Sequence, residues 1–301
     1  MGNGGNTPGA RLYALAQAEF RTLERELASA RAGKDGGVHR ARKSMQRLRA
    51  LIRLLAPGDV RWALREDAAV RALRRRLGPL RDAAVRLELL ESLGKRDLDE
   101  AQRARLALAR KALKADLARL WQGRPADSEF WERVFRDVER LRGRLGQWPV
   151  ARFDARAAHA ALERSRRKLL TAIEAALGQT GRNLRHDVRR RLRRHAALRR
   201  LSAQALRRRD VGARLLLDLA REMGNEGDLW MACAALRASG PAAETLPLRR
   251  LLENERRKAC KRHDGEMVAV RRRWLARTPK PPKTPKPPPS AAADAALEAA
   301  E

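Results

Sequence analysis

Between Arg11 and Arg277, apolar residues recur at spacings of three and four, and Gly and Pro punctuate stretches dominated by Ala, Leu, Arg and Glu. This period matches the turn of an α-helix, and no two-residue alternation competes with it. The chain is therefore expected to be all-α. Helices are predicted over residues 10–32, 38–56, 60–77, 79–94, 97–121, 127–146, 151–178, 183–207, 211–223, 227–239 and 246–276. A length of 301 residues with 44% apolar content is enough for a substantial core. It allows one large or two medium domains, because single cores stop growing near ~250–300 residues.

The second constraint is charge. Lys and Arg total 68 against 36 Asp and Glu, a net charge of +32. Arg supplies 57 of these cations and Lys 11. A GC-rich coding bias explains Arg in place of Lys, but not an uncompensated excess that destabilises a compact state by self-repulsion. A bound polyanion would relieve it. Seven of the fourteen prolines lie in 279–289, within TPKPPKTPKPPPS, a composition that favours extended polyproline II. From Arg277 onward four basic residues face three acidic ones, so this segment carries +1 and residues 1–276 carry +31. The expected organisation is a disordered N-terminus (1–9), a helical domain (10–276, with halves of about 10–146 and 151–276), and a disordered Pro/Lys-rich and Ala-rich tail (277–301).

Other classes are disfavoured. Six Trp, four Phe and one Tyr are too few for a sheet that stacks bases. Cys233 and Cys260 form no C-x-x-C and have no His pair at metal spacing, so neither a disulfide framework nor a metal site is expected, and the cytosol is the default compartment. The N-terminus has no basic segment followed by an apolar one and misses the myristoylation pattern, and no run approaches the ~18 apolar residues of a membrane span.

An internal repeat organises the charge. In HRARKSMQRLRALIRLL, starting at His39, the residues His39, Arg42, Lys43, Gln46, Ala50 and Arg53 share one helical face, with Arg47 at its margin. Ala41, Met45, Leu48, Leu51, Ile52 and Leu55 cover the opposite face. At an offset of 147, His39, Arg42, Lys43, Gln46, Arg47, Ala50 and Arg53 map onto His186, Arg189, Arg190, Arg193, Arg194, Ala197 and Arg200. A second match, LGPLRDAAV around Gly78 and Asp82 with MGNEGDLWM around Gly224 and Asp228, lies at an offset of 146. Two ordered matches at nearly one offset indicate a duplicated helical unit. Solvated helix faces normally mix signs, because opposite charges at i,i+4 stabilise and like charges destabilise. Arg42, Lys43, Gln46 and Arg47 have no acid on their own face.

At these residues the chain resembles the CHAD family, the conserved histidine α-helical domains. The first family signature, similar to H-x-x-R-V-x-x-R-R-L-R, is matched by His39, Arg42, Arg47, Leu48 and Arg49, with Lys43 and Gln46 departing from it. The second, similar to L-H-x-L-R-K-x-x-K-R-L-R-Y, is met by His186, Arg189, Arg190, Arg193 and Arg194. LGPLRDAAV resembles the family turn L-G-x-L-R-D-x-x-V. Where the second signature has Leu, Arg and Tyr this chain has His195, Ala196 and Ala197, so the second half is expected to bind more weakly or pack differently. The resemblance implies two pseudo-symmetric, duplicated four-helix bundles with long helices. It also implies a basic central surface that binds inorganic polyphosphate and can bring the protein to polyphosphate granules.

Residue chemistry supports such a ligand. Polyphosphate carries one negative charge on each internal phosphate and no bases, so its receptor needs cations in a row. The planar Arg fork donates two parallel hydrogen bonds to phosphate oxygens and remains charged. The primary candidates are His39, Arg42, Lys43, Gln46, Arg47, Arg53, His186, Arg189, Arg190, Arg193, Arg194 and Arg200. Secondary candidates are Arg49, Arg164, Lys168, Arg249, Arg250, Arg256, Arg257 and Lys261, several with acids nearby in sequence. His39 and His186 are expected to be neutral-leaning beside so many cations and to gain a proton when phosphate arrives. Arg81 and Asp82 could orient one another, or Asp82 could serve the first turn of a helix after Pro79.

The main rival is a nucleic-acid binder, because the same charge attracts any phosphate backbone. A third reading is an adaptor for acidic proteins or anionic membrane surfaces, with the PKPPKTPKPPP tail as a polyproline ligand. No phosphate-cradling G-x-x-x-x-G-K-S/T loop, no G-x-S-x-G and no H-E-x-x-H occurs, nor an acid cluster placed to hold Mg²⁺. A non-enzymatic binder with no cofactor is expected.

Overall fold

The computed structural model describes residues 7–34, 36–80, 87–88, 90–91, 94, 99–122, 128–210, 212–238 and 242–275. Among these the chain is all-α, with no strand. The helices are α1 (Pro8–Arg31), α2 (Gly37–Leu55), α3 (Val60–Arg76), α4 (Glu100–Gln122), α5 (Ser128–Gly143), α6 (Ala155–Ala176), α7 (Arg182–Ala205), α8 (Ala213–Ala238) and α9 (Ala242–Leu275). Short 3₁₀ turns at Leu145–Gln147 and Val150–Arg152 join α5 to α6.

Local chemistry sets several starts. The Thr7 hydroxyl accepts from the Ala10 amide at 3.1 Å, with Pro8 opening α1. Asp59 accepts from the Trp62 amide at 2.9 Å, and Asp154 from the Ala157 amide at 2.7 Å. Each side chain satisfies a donor that the first helical turn leaves without a carbonyl. The stretches predicted separately as 211–223 and 227–239 are one continuous helix, α8. Gly224, in the gap between the two predicted helices, is helical and has no positive φ. The predicted 127–146 helix ends at Gly143 and gives way to a 3₁₀ turn. Most of the predicted 79–94 helix, including Arg81 and Asp82, lies outside the described residues, as does the 277–301 segment.

The helices pack around apolar clusters. Helices α1, α2, α3 and α5 enclose Leu12, Phe20, Leu23, Met45, Leu48, Leu51, Val70, Leu73, Trp131 and Val138. Trp148 seals this cluster edge-on, 5.3 Å from the Trp62 ring and 6.3 Å from Phe20. Helices α6 to α9 enclose a second cluster with Leu169, Ile173, Val188, Leu192, Leu216, Met223 and Met267. Ala161 of α6 and Leu198, Leu201 and Ala205 of α7 reach into the first cluster, so α2 packs directly against α6 and α7. Helix α4, which belongs to the first half by sequence, packs instead on α8 and α9 through Leu106, Ala109, Ala232, Cys233, Leu236 and Leu252. Both cysteines are buried free thiols. No helix among the described residues is long and apolar enough to cross a membrane.

Candidate functional site

Two amphipathic helices bring the repeated basic motifs together. The apolar face of α2 buries Val38, Ala41, Met45, Leu48, Leu51, Ile52 and Leu55; that of α7 buries Val188, Leu192, Ala196, Leu198 and Leu201. This leaves their cationic faces to the groove where α2 meets α7. At the contact, the Arg193 guanidinium donates to Gln46 Oε1 at 3.5 Å. Gln46 and Arg193 are each other's counterparts at the 147 offset. The two copies of the motif therefore meet at matched positions.

A second pair of bonds follows the same relation. Arg42 donates to the carbonyl of Arg74 at 3.0 Å, and Arg189 to the carbonyl of Ala220 at 3.3 Å. Arg42 and Arg189 are 147 apart and the two carbonyls 146 apart, matching the two sequence offsets. Both arginines are thus tethered across to the next helix. Gly224 makes the Arg189 position accessible: a Cβ there would lie 2.8 Å from a guanidinium nitrogen. The glycine provides close approach within a helix rather than a turn.

The electrostatics of the groove are those of crowded like charge. Arg74 at the end of α3 is pushed down to about 10, first by burial and then by Arg42, Arg49 and Arg193. Its Nε has no hydrogen-bond partner among the described residues. Arg193 is lowered by burial and by Arg189. His186 is held below its ordinary value by loss of water and by Arg189, Arg190 and Arg182, so its imidazole leans neutral as expected. Arg74 was not a sequence candidate. It sits in the run Arg74–Arg75–Arg76, which the C-terminal macrodipole of α3 favours on its own, and only the packing of α3 on α2 shows which of the three faces the groove.

Other candidates have partners that the sequence could not supply. Arg47 donates to Glu19 of α1 at 2.6 Å, so the acid missing from its own helix comes from a neighbour. Arg49 is buried and holds both oxygens of Asp67 at 2.8 Å, which Arg53 also approaches at 3.0 Å. Burial alone would raise Asp67, but Arg49, Arg53 and Arg71 overcome it and lower the carboxyl. Arg49 is thereby committed to the interior. Arg190 and Arg191 share Asp187, each at 2.6 Å. His39 is half-buried, and Lys43, His186 and Arg200 are exposed. His195, at the departure from the second signature, is buried and pushed down to about 3 by desolvation and then by Arg199 and Arg166, so it packs as a neutral ring.

Among the secondary candidates, Arg164 and Lys168 of α6 join Arg53 and Arg194 around a recess between α2, α6 and α7. Arg249, Arg250, Arg256, Arg257 and Lys261 lie on α9, whose main packing partners are α8 and α6, and Arg256 is tied to the Thr180 carbonyl at 3.0 Å. The structure does not bring this group to the α2–α7 contact. No group of three or more His, Cys, Asp or Glu among the described residues could hold a metal ion.

No curated protein and no solved structure matches the chain. The family model of the CHAD domain matches residues 14–216, two thirds of the chain, and this span holds both basic helices and the groove between them. The chain belongs to the CHAD-domain family.

Proposed function

We propose that the α2–α7 groove binds inorganic polyphosphate without catalysing a reaction, and that through it the protein associates with polyphosphate granules in the cytoplasm. The observation that carries this reading is the cluster of Arg42, Arg74, Arg189 and Arg193, in which burial and then Arg42, Arg49 and Arg193 depress Arg74, burial and then Arg189 depress Arg193, and the buried Arg74 Nε has no hydrogen-bond partner among the described residues. Such a cluster is costly unless an anion occupies it. The ligand must supply closely spaced phosphates along a line. The 19 residues of α2 span about 28 Å at ~1.5 Å per residue, long enough to face several phosphates. The matched Arg42–Arg74 and Arg189–Ala220 bonds support two duplicated four-helix bundles related by a pseudo-twofold through Gln46 and Arg193. Family membership supports the same ligand.

Nucleic acid is the competing polyanion. In a titration of labelled long-chain polyphosphate bound to the protein, duplex DNA at equal phosphate concentration should fail to displace it; efficient displacement would favour the nucleic-acid reading. Deleting residues 277–301 should leave polyphosphate binding unchanged, and its loss would transfer the function to the tail.

A further inference from the structure

Helix α9 lies wholly beyond residue 216, where the family match ends, and takes no part in the α2–α7 contact. Its inward face buries Leu252, Ala259, His263, Met267 and Val270. At ~100° per residue, Arg250, Arg257, Lys258, Lys261 and Arg272 fall within about 60° of one line on the opposite face, and all five are exposed. Arg262 and Arg273, also exposed, flank this line. Every exposed charged residue of α9 among the described residues is therefore basic.

The acids of the same helix do not compensate this row. Glu253, Glu255, Asp264 and Glu266 are all half-buried. Glu253 accepts from Arg237 of α8 at 3.1 Å and Asp264 from Arg185 of α7 at 2.7 Å, so both are engaged with neighbouring helices. The side chains of the five cations on the line have no hydrogen bond or ion pair among the described residues. Arg257 with Lys261, and Lys258 with Arg262, instead set like charges at i,i+4, which destabilises a helix. A face that served only solubility would mix signs; this one keeps a repulsion that a bound anion would remove. From Arg250 to Arg272 the row runs about 33 Å at ~1.5 Å per residue.

The shape of the row selects its occupant. Leu246, Leu251 and Val268, the exposed large apolar side chains of α9, are scattered along its length and form no patch that could enter a membrane. A flexible phosphate chain can lie along a straight row of cations, whereas the backbones of a rigid duplex wind away from one. We propose that the outward face of α9 is a second polyphosphate-binding surface, separate from the α2–α7 groove, so that one protein molecule holds two chains and cross-links them. The proposal rests on the polyphosphate reading above. The row lies open on the surface, so its contacts are screened by salt and exchange faster than those of the groove. One tight and one loose contact per molecule condense polyphosphate while its chains continue to exchange.

The test mixes two populations of long-chain polyphosphate, labelled in different colours, with fewer protein molecules than chains, and follows their co-diffusion by two-colour fluorescence cross-correlation. Wild-type protein is expected to make the two colours diffuse together. Arg257→Gln/Lys258→Gln/Lys261→Gln/Arg272→Gln should still bind each population, but co-diffusion should fall to background, because one site per molecule joins no two chains. Arg21→Gln/Arg31→Gln/Lys34→Gln/Arg61→Gln removes the same charge from exposed positions scattered over the first half and should keep the co-diffusion. Wild-type protein that binds both populations without joining them would overturn cross-linking, and joining that survives in the α9 variant would overturn the assignment to α9. Equal loss in the two variants would reduce the effect to net charge and overturn the proposal as well. Co-diffusion abolished by duplex DNA, with each population still bound, would give the face to nucleic acid instead. If neither population bound the wild-type protein, the polyphosphate reading itself would fail, and cross-linking with it.

Discussion

The most informative single residues are those whose charge state is strained. His186 is pushed toward neutrality by loss of water and by three arginines. In the free protein that depression favours the neutral ring, so stability is lost as pH falls below about 6.5. On the proposed reading, a phosphate docked beside it would reverse the balance, and the imidazole would gain a proton on binding. Affinity for end-capped polyphosphate, which has no titrating terminus, should therefore be higher at pH 6 than at pH 8, with the difference reduced in His39→Gln/His186→Gln. Equal wild-type affinities at the two pH values would remove the histidine from the mechanism. A second strained group is structural. Arg185 is buried against both oxygens of Glu226, at 2.7 and 2.9 Å, and also bonds Asp264 at 2.7 Å, while His263 Nδ1 lies 3.0 Å from Glu226. Removing one partner leaves buried charge uncompensated, so Glu226→Leu should cost about 3–5 kcal/mol in urea denaturation. A cost below about 1 kcal/mol would show that the network contributes little.

At the scale of helices, the spacing of Met45, Leu48, Ile52 and Leu55 was enough to place α2 and predict which face is buried, because a 3.6-residue period converts directly into a stripe. The same logic identified α7 and the offset between them. What the period could not convey was partnership. Glu19, Asp67 and Arg74 reach the site from α1 and α3, at sequence distances no periodicity connects. Nor could it identify Gly224, because a glycine that ends a helix and one that admits a neighbour look alike in sequence. The two roles predict opposite outcomes. Gly224→Ala should raise the helix propensity of α8 by up to about 1 kcal/mol while pushing the Arg189 guanidinium off the Ala220 carbonyl. Thermal stability should hold or rise as polyphosphate affinity falls. A matched loss of both would mean that the glycine serves the backbone, and Gly78→Ala, where a Cβ meets nothing within 4 Å, is the control.

For the whole molecule, a net charge of +32 makes the folded state self-repelling, and a ligand that binds only the folded form stabilises it by mass action. Polyphosphate should raise the melting temperature more than monovalent salt of equal phosphate charge, and no shift would mean that the ligand does not select the folded state. Acid acts in the opposite direction. Asp67, Asp187 and Glu226 all lie below their ordinary values because their arginine and histidine partners outweigh burial. The stability they contribute is present above about pH 4 and is lost as pH falls through their folded-state values. The central claim is that the α2–α7 groove holds the polyanion. Its most direct test is the salt dependence of polyphosphate affinity in wild type and in Arg42→Ala/Arg189→Ala/Arg193→Ala. The account predicts a loss of at least about 100-fold and a log–log salt slope shallower by about 2, as for roughly 0.7 per lost phosphate contact on a flexible polyanion. An unchanged affinity and slope, in a variant that keeps its helix content, would contradict it.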